Sequence, residues 1–304
     1  MQIGLMVHTF DRSGLTATVE QVRAAAEAGV HSAWLTQVYG LDALTAAAVA
    51  GREVPGITLG TAVVPTWPRH PVVLAGQALT TQAATGGRFV LGIGLSHQMA
   101  MEGVMGIPFE RPVLHMREYL TVLNALVHDG TVDFKGETLR AATVIGPLQV
   151  ADGSPFPILV AALAPAMVRL AGEMADGTLT WMAGARVIGD RIAPSITEAA
   201  EAAGRRAPEV GVGLPVFVTA DPETARKRAR RQFATYGTLP SYRRLLDEEG
   251  VDGPGDLAII GDEEQVATQI RALEAAGATT FLGMAYGPEK GETLRLLGHL
   301  ATGR

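Results

Sequence analysis

Eight short apolar runs, each followed by a stretch with helical spacing, constrain this chain more than any other feature. They are "IGLMV" (3–7), "AWLT" (33–36), "ITLGTAVV" (57–64), "FVLGIG" (89–94), "PILVAAL" (157–163), "TLTWM" (178–182), "VGVGLPVFV" (210–218) and "TTFLGMA" (279–285). Most are continuously apolar rather than alternating, the pattern of strands buried on both faces, as in parallel sheets covered by helices. Eight such units favour a closed (β/α)8 TIM barrel over an open sheet. That fold holds 304 residues as one domain, and no Ser/Gly-rich linker divides the chain, so one barrel over 1–304 is predicted.

The helical stretches carry their own punctuation. "RPVLHMREYLTVLNALV" places Val113, Met116, Leu120, Leu123 and Val127 on one stripe, with Pro112 suited to a first turn. "GDEEQVATQIRALEAAG" starts at an Asp cap, keeps Val266, Ile270 and Leu273 on one face and stops at Gly277. "AAAEAGVHSAWL" and "RALEAAGATTFL" share the order helix, Gly, strand, a faint repeat of one βα unit. Three segments, 94–111, 129–156 and 235–256, are longer than ordinary barrel loops and are expected as insertions over the C-terminal mouth. Within the second, "VDFKGETLRA" reads as a hairpin turning at Lys135–Gly136.

Composition removes whole classes of function. The chain has no cysteine, which excludes disulfides, thiolate metal sites and cysteine nucleophiles. A net charge of −6 argues against binding nucleic acid or an anionic membrane in bulk. The longest apolar stretch, "ILVAALAPAMVRLAG", is cut by Pro165 and Arg169, short of the roughly 20 residues of a membrane span. "MQIGLMVHTFDRSG" has no basic leader, so a cytoplasmic protein is expected. No HxH or HExxH spacing occurs, and no metal is expected.

The candidate chemistry gathers where strands end. In "TGGRFVLGIGLSHQ" a strand runs through Gly92 and Gly94 into Ser96, His97 and Gln98. The glycines either relieve barrel packing at a bulge or leave room for a ligand, and the spacing alone decides neither. "ITLGTAVVP" ends in small residues, and "AALAP" (161–165) leads a strand into a helix whose free N–H groups suit a phosphate.

Taken in order, "ITLGTAVVP", "TGGRFVLGIG", "AALAPAMVRLAGEMADG" and "TLTWM" resemble the bacterial luciferase-like superfamily, within it the branch dependent on the deazaflavin coenzyme F420. The resemblance covers about 3–300 and implies a TIM barrel, a homodimer, and coenzyme F420 at the C-terminal face, with FMN as the alternative. It implies a non-prolyl cis peptide at Ala62–Val63 backing the cofactor ring. It also implies that Leu95, Ser96 and His97 border that ring, that Ala161, Ala162, Leu163 and Ala164 lie against the phosphate-bearing side chain, and that Trp181 and Met182 flank the ring. His97 matches a position where one branch holds an acid proposed as proton donor. An imidazole serves that role near neutral pH, or else hydrogen-bonds the ring carbonyl or substrate.

One departure sets the expected direction. Members that oxidise alcohols carry an acid–His pair after the second strand, where this sequence has Thr36 and Gln37. A carboxamide takes no proton, so hydride transfer to an acceptor, such as an electron-poor double bond, imine or quinone, is expected over alcohol oxidation. His8, Gln37 and Trp67 are expected to line the substrate site, and His70 is structural or substrate-lining. His31, His115, His128 and His299 are expected to be solvated. The run "ARKRARR" (225–231) is read as a solvated helix face rather than a patch for an acidic cofactor tail. The competing functions are an FMN-dependent luciferase-like monooxygenase and a barrel that binds cofactor without turnover.

Overall fold

A computed structural model describes residues 1–7, 14–37, 39–287 and 290–303. The chain opens with β1 (Gln2–Val7), α1 (Leu15–Ala28), β2 (Ser32–Leu35), α2 (Ala43–Glu53), β3 (Thr58–Thr61), the two-residue β4 (Val64–Pro65), α3 (Pro71–Ala84) and β5 (Phe89–Gly94). It continues with α4 (Gln98–Met105), α5 (Pro112–His128), β6 (Asp133–Lys135), β7 (Arg140–Ala142), β8 (Ile158–Ala161), α6 (Pro165–Met174) and β9 (Gly177–Trp181). Helix α7 (Ala185–Val187) passes through a π-helical turn, Ile188–Ile192, into α8 (Ala193–Ala202). The remainder is β10 (Glu209–Val218), α9 (Pro222–Gln232), a 3-10 turn at Ala234–Thr238, α10 (Pro240–Glu249), a second at Pro254–Leu257, β11 (Ile259–Gly261), α11 (Glu263–Ala275), β12 (Thr280–Ala285) and α12 (Lys290–Thr302).

All eight predicted strands are present and close into a parallel barrel in chain order. Neighbours run β1–β2–β3–β5–β8–β9–β10–β12, and β12 returns to β1 with Gln2 opposite Thr280. Strand β10 is long enough to serve twice: Glu209–Gly213 pair with β9, while Val216–Val218 pair with the accessory β11. The interior is filled by large side chains set against missing ones. The Trp34 ring, 2% exposed, lies over Gly60 of the next strand, where a Cβ would come within 2.4 Å of it. Helix ends follow the sequence signals: Asp262 accepts from the Gln265 N–H in a capping box, and Gly29 closes α1 in the left-handed region at φ +84°.

The predicted third strand, 57–64, is interrupted. Chain pairing stops at Thr61, the Ala62–Val63 peptide is cis, and pairing resumes at Val64 opposite Ile93. Thr61 stitches the gap: its buried hydroxyl accepts from Gly92 N–H (2.9 Å) and donates to Gly92 C=O (2.8 Å). Gly92 is needed here because a Cβ would sit 2.0 Å from the Thr61 carbonyl oxygen, and one on Gly94 would meet Val63 at 2.7 Å. Both glycines therefore make room for this bulge, which settles the choice that spacing left open.

Of the three long segments, the first follows the C-terminal end of β5 directly, and the third follows α9 in the excursion that leaves the C-terminal end of β10. The second does not sit over the mouth, because it joins the end of α5 to the start of β8, both at the opposite end of the barrel. Its β6–β7 hairpin runs up the outer wall, where Glu118 of α5 accepts from the backbone N–H groups of Glu137, Thr138 and Leu139. That buried carboxylate, with Tyr119 and Val122, makes α5 far more enclosed than the predicted stripe, while Val113 is exposed.

Candidate active site

Parallel closure brings the C-terminal ends of all eight barrel strands to one rim. The residues expected to hold a cofactor lie on it: Ala62 and Val63 in the bulge, Leu95, Ser96 and His97 after β5, Ala161 to Ala164 after β8, Trp181 and Met182 at the end of β9. Most are half-buried and Ala164 is exposed, the condition of side chains able to touch a ligand. Ala162 and Met182 are 2% and 0% exposed, so only their backbones are open to one. Among the described residues, two of the three non-glycine residues in the left-handed region are on this rim, Ser96 at φ +61° and Met182 at φ +58°. Such conformations cost about 1–3 kcal/mol and persist only where the surroundings impose them. They aim the neighbouring His97 and Trp181 side chains.

A set of rings unread in the sequence connects those two side chains. His97 packs on Tyr242 (centroids 5.9 Å apart), Tyr242 on Tyr236 (5.1 Å), and Tyr236 edge-on against Trp181 (6.0 Å), which also meets Phe233 (6.2 Å). Tyr236 and Tyr242 come from the 235–256 insertion, an irregular segment without a period that could have marked them. The insertion is fixed in place by its last turn. Arg191, in the π-helical turn, donates to Glu248 (2.9 Å) and to the Leu163 carbonyl (2.6 Å), and Glu249 accepts from Val187 N–H (2.8 Å). Burial depresses the His97 pKa below the usual histidine value, so its imidazole is neutral at pH 7. Burial likewise raises Tyr242 and Tyr236, which stay protonated as donors, and in Tyr236 the nearby Trp181 indole opposes the rise. His97 stands at the N-cap of α4 without using its side chain to cap, leaving the ring for other work.

The other predicted positions divide. His8 lies outside the described residues. The Gln37 carboxamide oxygen accepts from Ala43 N–H (2.8 Å) at the start of α2, which leaves its NH2 group to face elsewhere. Trp67 stacks on His115 (3.7 Å, 9°) and tilts against Phe109 (5.4 Å), so it belongs to a cluster at the head of α5. His115 is thus a correction: it is 7% exposed, not solvated, shares a hydrogen bond with the Thr66 hydroxyl (3.0 Å), and has a pKa pushed down to about 4 by burial, with Glu118 opposing. His31 is also engaged, accepting from Ile3 N–H (3.0 Å). His70 caps α3, accepting from Val72 N–H (3.3 Å). In the basic run, Lys227 pairs with Glu223 (2.9 Å) and Arg230 with Asp256 (2.8 Å) along α9.

Among the described residues no group of three His, Asp or Glu side chains is placed to hold a metal. The indole N–H groups of Trp181 and Trp67 are buried without a hydrogen bond. The Trp181 group lies against the Tyr236 hydroxyl, which is how it opposes the rise in that phenol's pKa. No described helix is long and apolar enough to cross a membrane.

Comparison with known proteins agrees with this geometry. The pattern that defines the luciferase-like monooxygenase family matches residues 1–280. The 5,10-methylenetetrahydromethanopterin reductase of Methanopyrus kandleri is 25% identical over 93% of this chain and 93% of its own. Among solved structures, an F420-dependent secondary alcohol dehydrogenase in complex with an F420–acetone adduct superposes with a TM-score of 0.82 at 19% identity, covering 98% of this chain and 97% of that one. The oxygenating constituent of 3,6-diketocamphane monooxygenase from Pseudomonas putida, in complex with FMN, superposes at 0.76 with 19% identity, covering 100% and 98%. The closed barrel, its bulge after the third strand and a family match across most of the chain make this protein a member of the luciferase-like monooxygenase family of oxidoreductases.

Proposed function

We propose that the chain is a coenzyme F420-dependent reductase that delivers a hydride to a small organic acceptor, and that it works as a homodimer. The observation that carries the direction is Gln37 at the end of β2, whose carboxamide oxygen is held by Ala43 N–H. No base stands at that position to take a proton from an alcohol, whereas reduction needs only a donor. The full-length likeness to a methylenetetrahydromethanopterin reductase supports the same direction.

When bound, reduced coenzyme F420 supplies two electrons as a hydride from the central carbon of its ring. The chain's own part is positional and protonic. The Ala62–Val63 bulge would back the ring, Leu95, Ser96 and His97 would border one edge, and Trp181 would flank it. The Ala161–Ala164 loop, at the N-terminus of α6, receives the phosphate-bearing side chain. His97, neutral at pH 7, offers a hydrogen bond to the acceptor or ring carbonyl, and gives up a proton itself only toward acid pH. Water supplies the proton otherwise.

A second reading, an FMN-dependent monooxygenase, is favoured by the likeness to the FMN-bound oxygenating subunit. The two separate on aerobic assay. The reductase consumes reduced deazaflavin only when an acceptor such as 2-methyl-1,4-naphthoquinone is added, while the monooxygenase consumes oxygen with reduced FMN. Oxygen uptake with FMN and no acceptor reduction with deazaflavin refutes the proposal.

A further inference from the structure

The ring wall from Trp181 to His97 brings to the rim two side chains, Tyr236 and Tyr242, that no sequence expectation included. It spans the mouth from the end of β9 to the end of β5, and so passes the Ala161–Ala164 loop of the intervening β8. Three features mark it as more than packing. Each end adjoins a left-handed residue: His97 follows Ser96 and Trp181 precedes Met182. It carries two phenol hydroxyls able to donate, and the buried Trp181 N–H lies against that of Tyr236. Four described carboxylates near the rim are engaged elsewhere: Asp42 accepts from Thr45 N–H and pairs with Arg69, Glu102 accepts from Phe109 N–H, Glu248 pairs with Arg191, and Glu249 accepts from Val187 N–H.

From these features we infer that Tyr236 and Tyr242, with Trp181, form the substrate-side wall, and that it takes an uncharged, planar, conjugated molecule bearing a carbonyl or imine acceptor. This rests on the reductase reading and adds to it the residues that choose the substrate. Flat rings complement a flat molecule, and a phenol hydroxyl can donate to the acceptor atom of a carbonyl or imine. A hydrogen bond from a phenol to the carbonyl of an enone or quinone also draws electron density from the carbon that receives hydride. The wall therefore favours reduction of the molecules it binds.

The test uses Tyr236→Phe, Tyr242→Phe and Trp181→Phe, which keep an aromatic ring and remove a donor. Binding of 2-methyl-1,4-naphthoquinone is measured by equilibrium dialysis on protein free of cofactor, and coenzyme F420 binding is titrated separately on the same proteins. We expect each tyrosine variant to weaken quinone binding about five- to thirty-fold, the worth of one or two hydrogen bonds, with F420 affinity within about two-fold of wild type. In steady state the same loss falls on KM for the quinone. Quinone binding unchanged in both tyrosine variants overturns the inference, as does no quinone binding by the wild-type protein. If the wild type binds no deazaflavin but the tyrosine dependence of quinone binding holds, the reductase reading fails and the wall stands.

Discussion

Thr61→Val tests the bulge that shapes the rim. The two side chains are nearly the same size, so the substitution removes a hydroxyl and little else. Thr61 is fully buried, and its hydroxyl both accepts from Gly92 N–H and donates to Gly92 C=O. Without it, two buried backbone groups lose their partner at the point where ladder pairing is broken, and each such loss costs about 1–3 kcal/mol. The sum, about 2–6 kcal/mol, lowers the melting midpoint by roughly 4–12 °C in a chain of this length. Thr293→Val is the control, since it removes a buried hydroxyl that accepts from Val218 N–H on the far side of β10. Differential scanning calorimetry with a coenzyme F420 titration on both variants reads the result. Thr61→Val should lose stability and at least tenfold in cofactor affinity, and Thr293→Val stability alone. Equal cofactor affinity in the two variants, or a Thr61→Val midpoint within a degree of wild type, refutes the bulge as the piece that shapes the site.

Other outcomes follow from named contacts. Gly92→Ala forces a Cβ against the Thr61 carbonyl oxygen, and should give little folded protein on expression, judged by circular dichroism and gel filtration. Glu118→Gln exchanges a carboxylate holding three backbone N–H groups for an amide, and should cost about 2–3 kcal/mol and open the 133–142 hairpin to limited proteolysis. His115 binds its proton more weakly folded than unfolded, so the unfolded chain takes up the extra proton between pH 6.5 and about 4. Its contribution is full above pH 6.5 and falls by about 3 kcal/mol as pH drops to 4, a loss that His115→Asn should lack in urea melts across that range. Since burial also depresses the His97 pKa, reductase turnover should rise only as pH falls below 6.5, and His97→Gln should abolish the rise. The same pH profile in both proteins refutes His97 as the donor.

The barrel was legible because its signal is repeated: eight buried runs punctuated by caps and glycines leave few other topologies. The break at Ala62–Val63 was legible only through resemblance, since nothing in "GTAVVP" distinguishes a continuous strand from a bulge; its partner glycines, Gly92 and Gly94, lie a whole helix away in sequence. The 129–156 segment was misplaced because its length was visible but its direction of travel was not. His115 looked solvated because one helix period cannot show a neighbouring loop laying Trp67 across it. Tyr236 and Tyr242 escaped altogether, because their juxtaposition with His97 is a tertiary contact between an insertion and a distant strand.

A rim built for a deazaflavin that passes hydride to an acceptor should bind coenzyme F420 at least tenfold more tightly than FMN, and Thr61→Val should weaken that binding. Parallel fluorescence titrations of the purified protein with the two cofactors read this. Tighter binding of FMN, or binding of neither, would rule out a deazaflavin reductase.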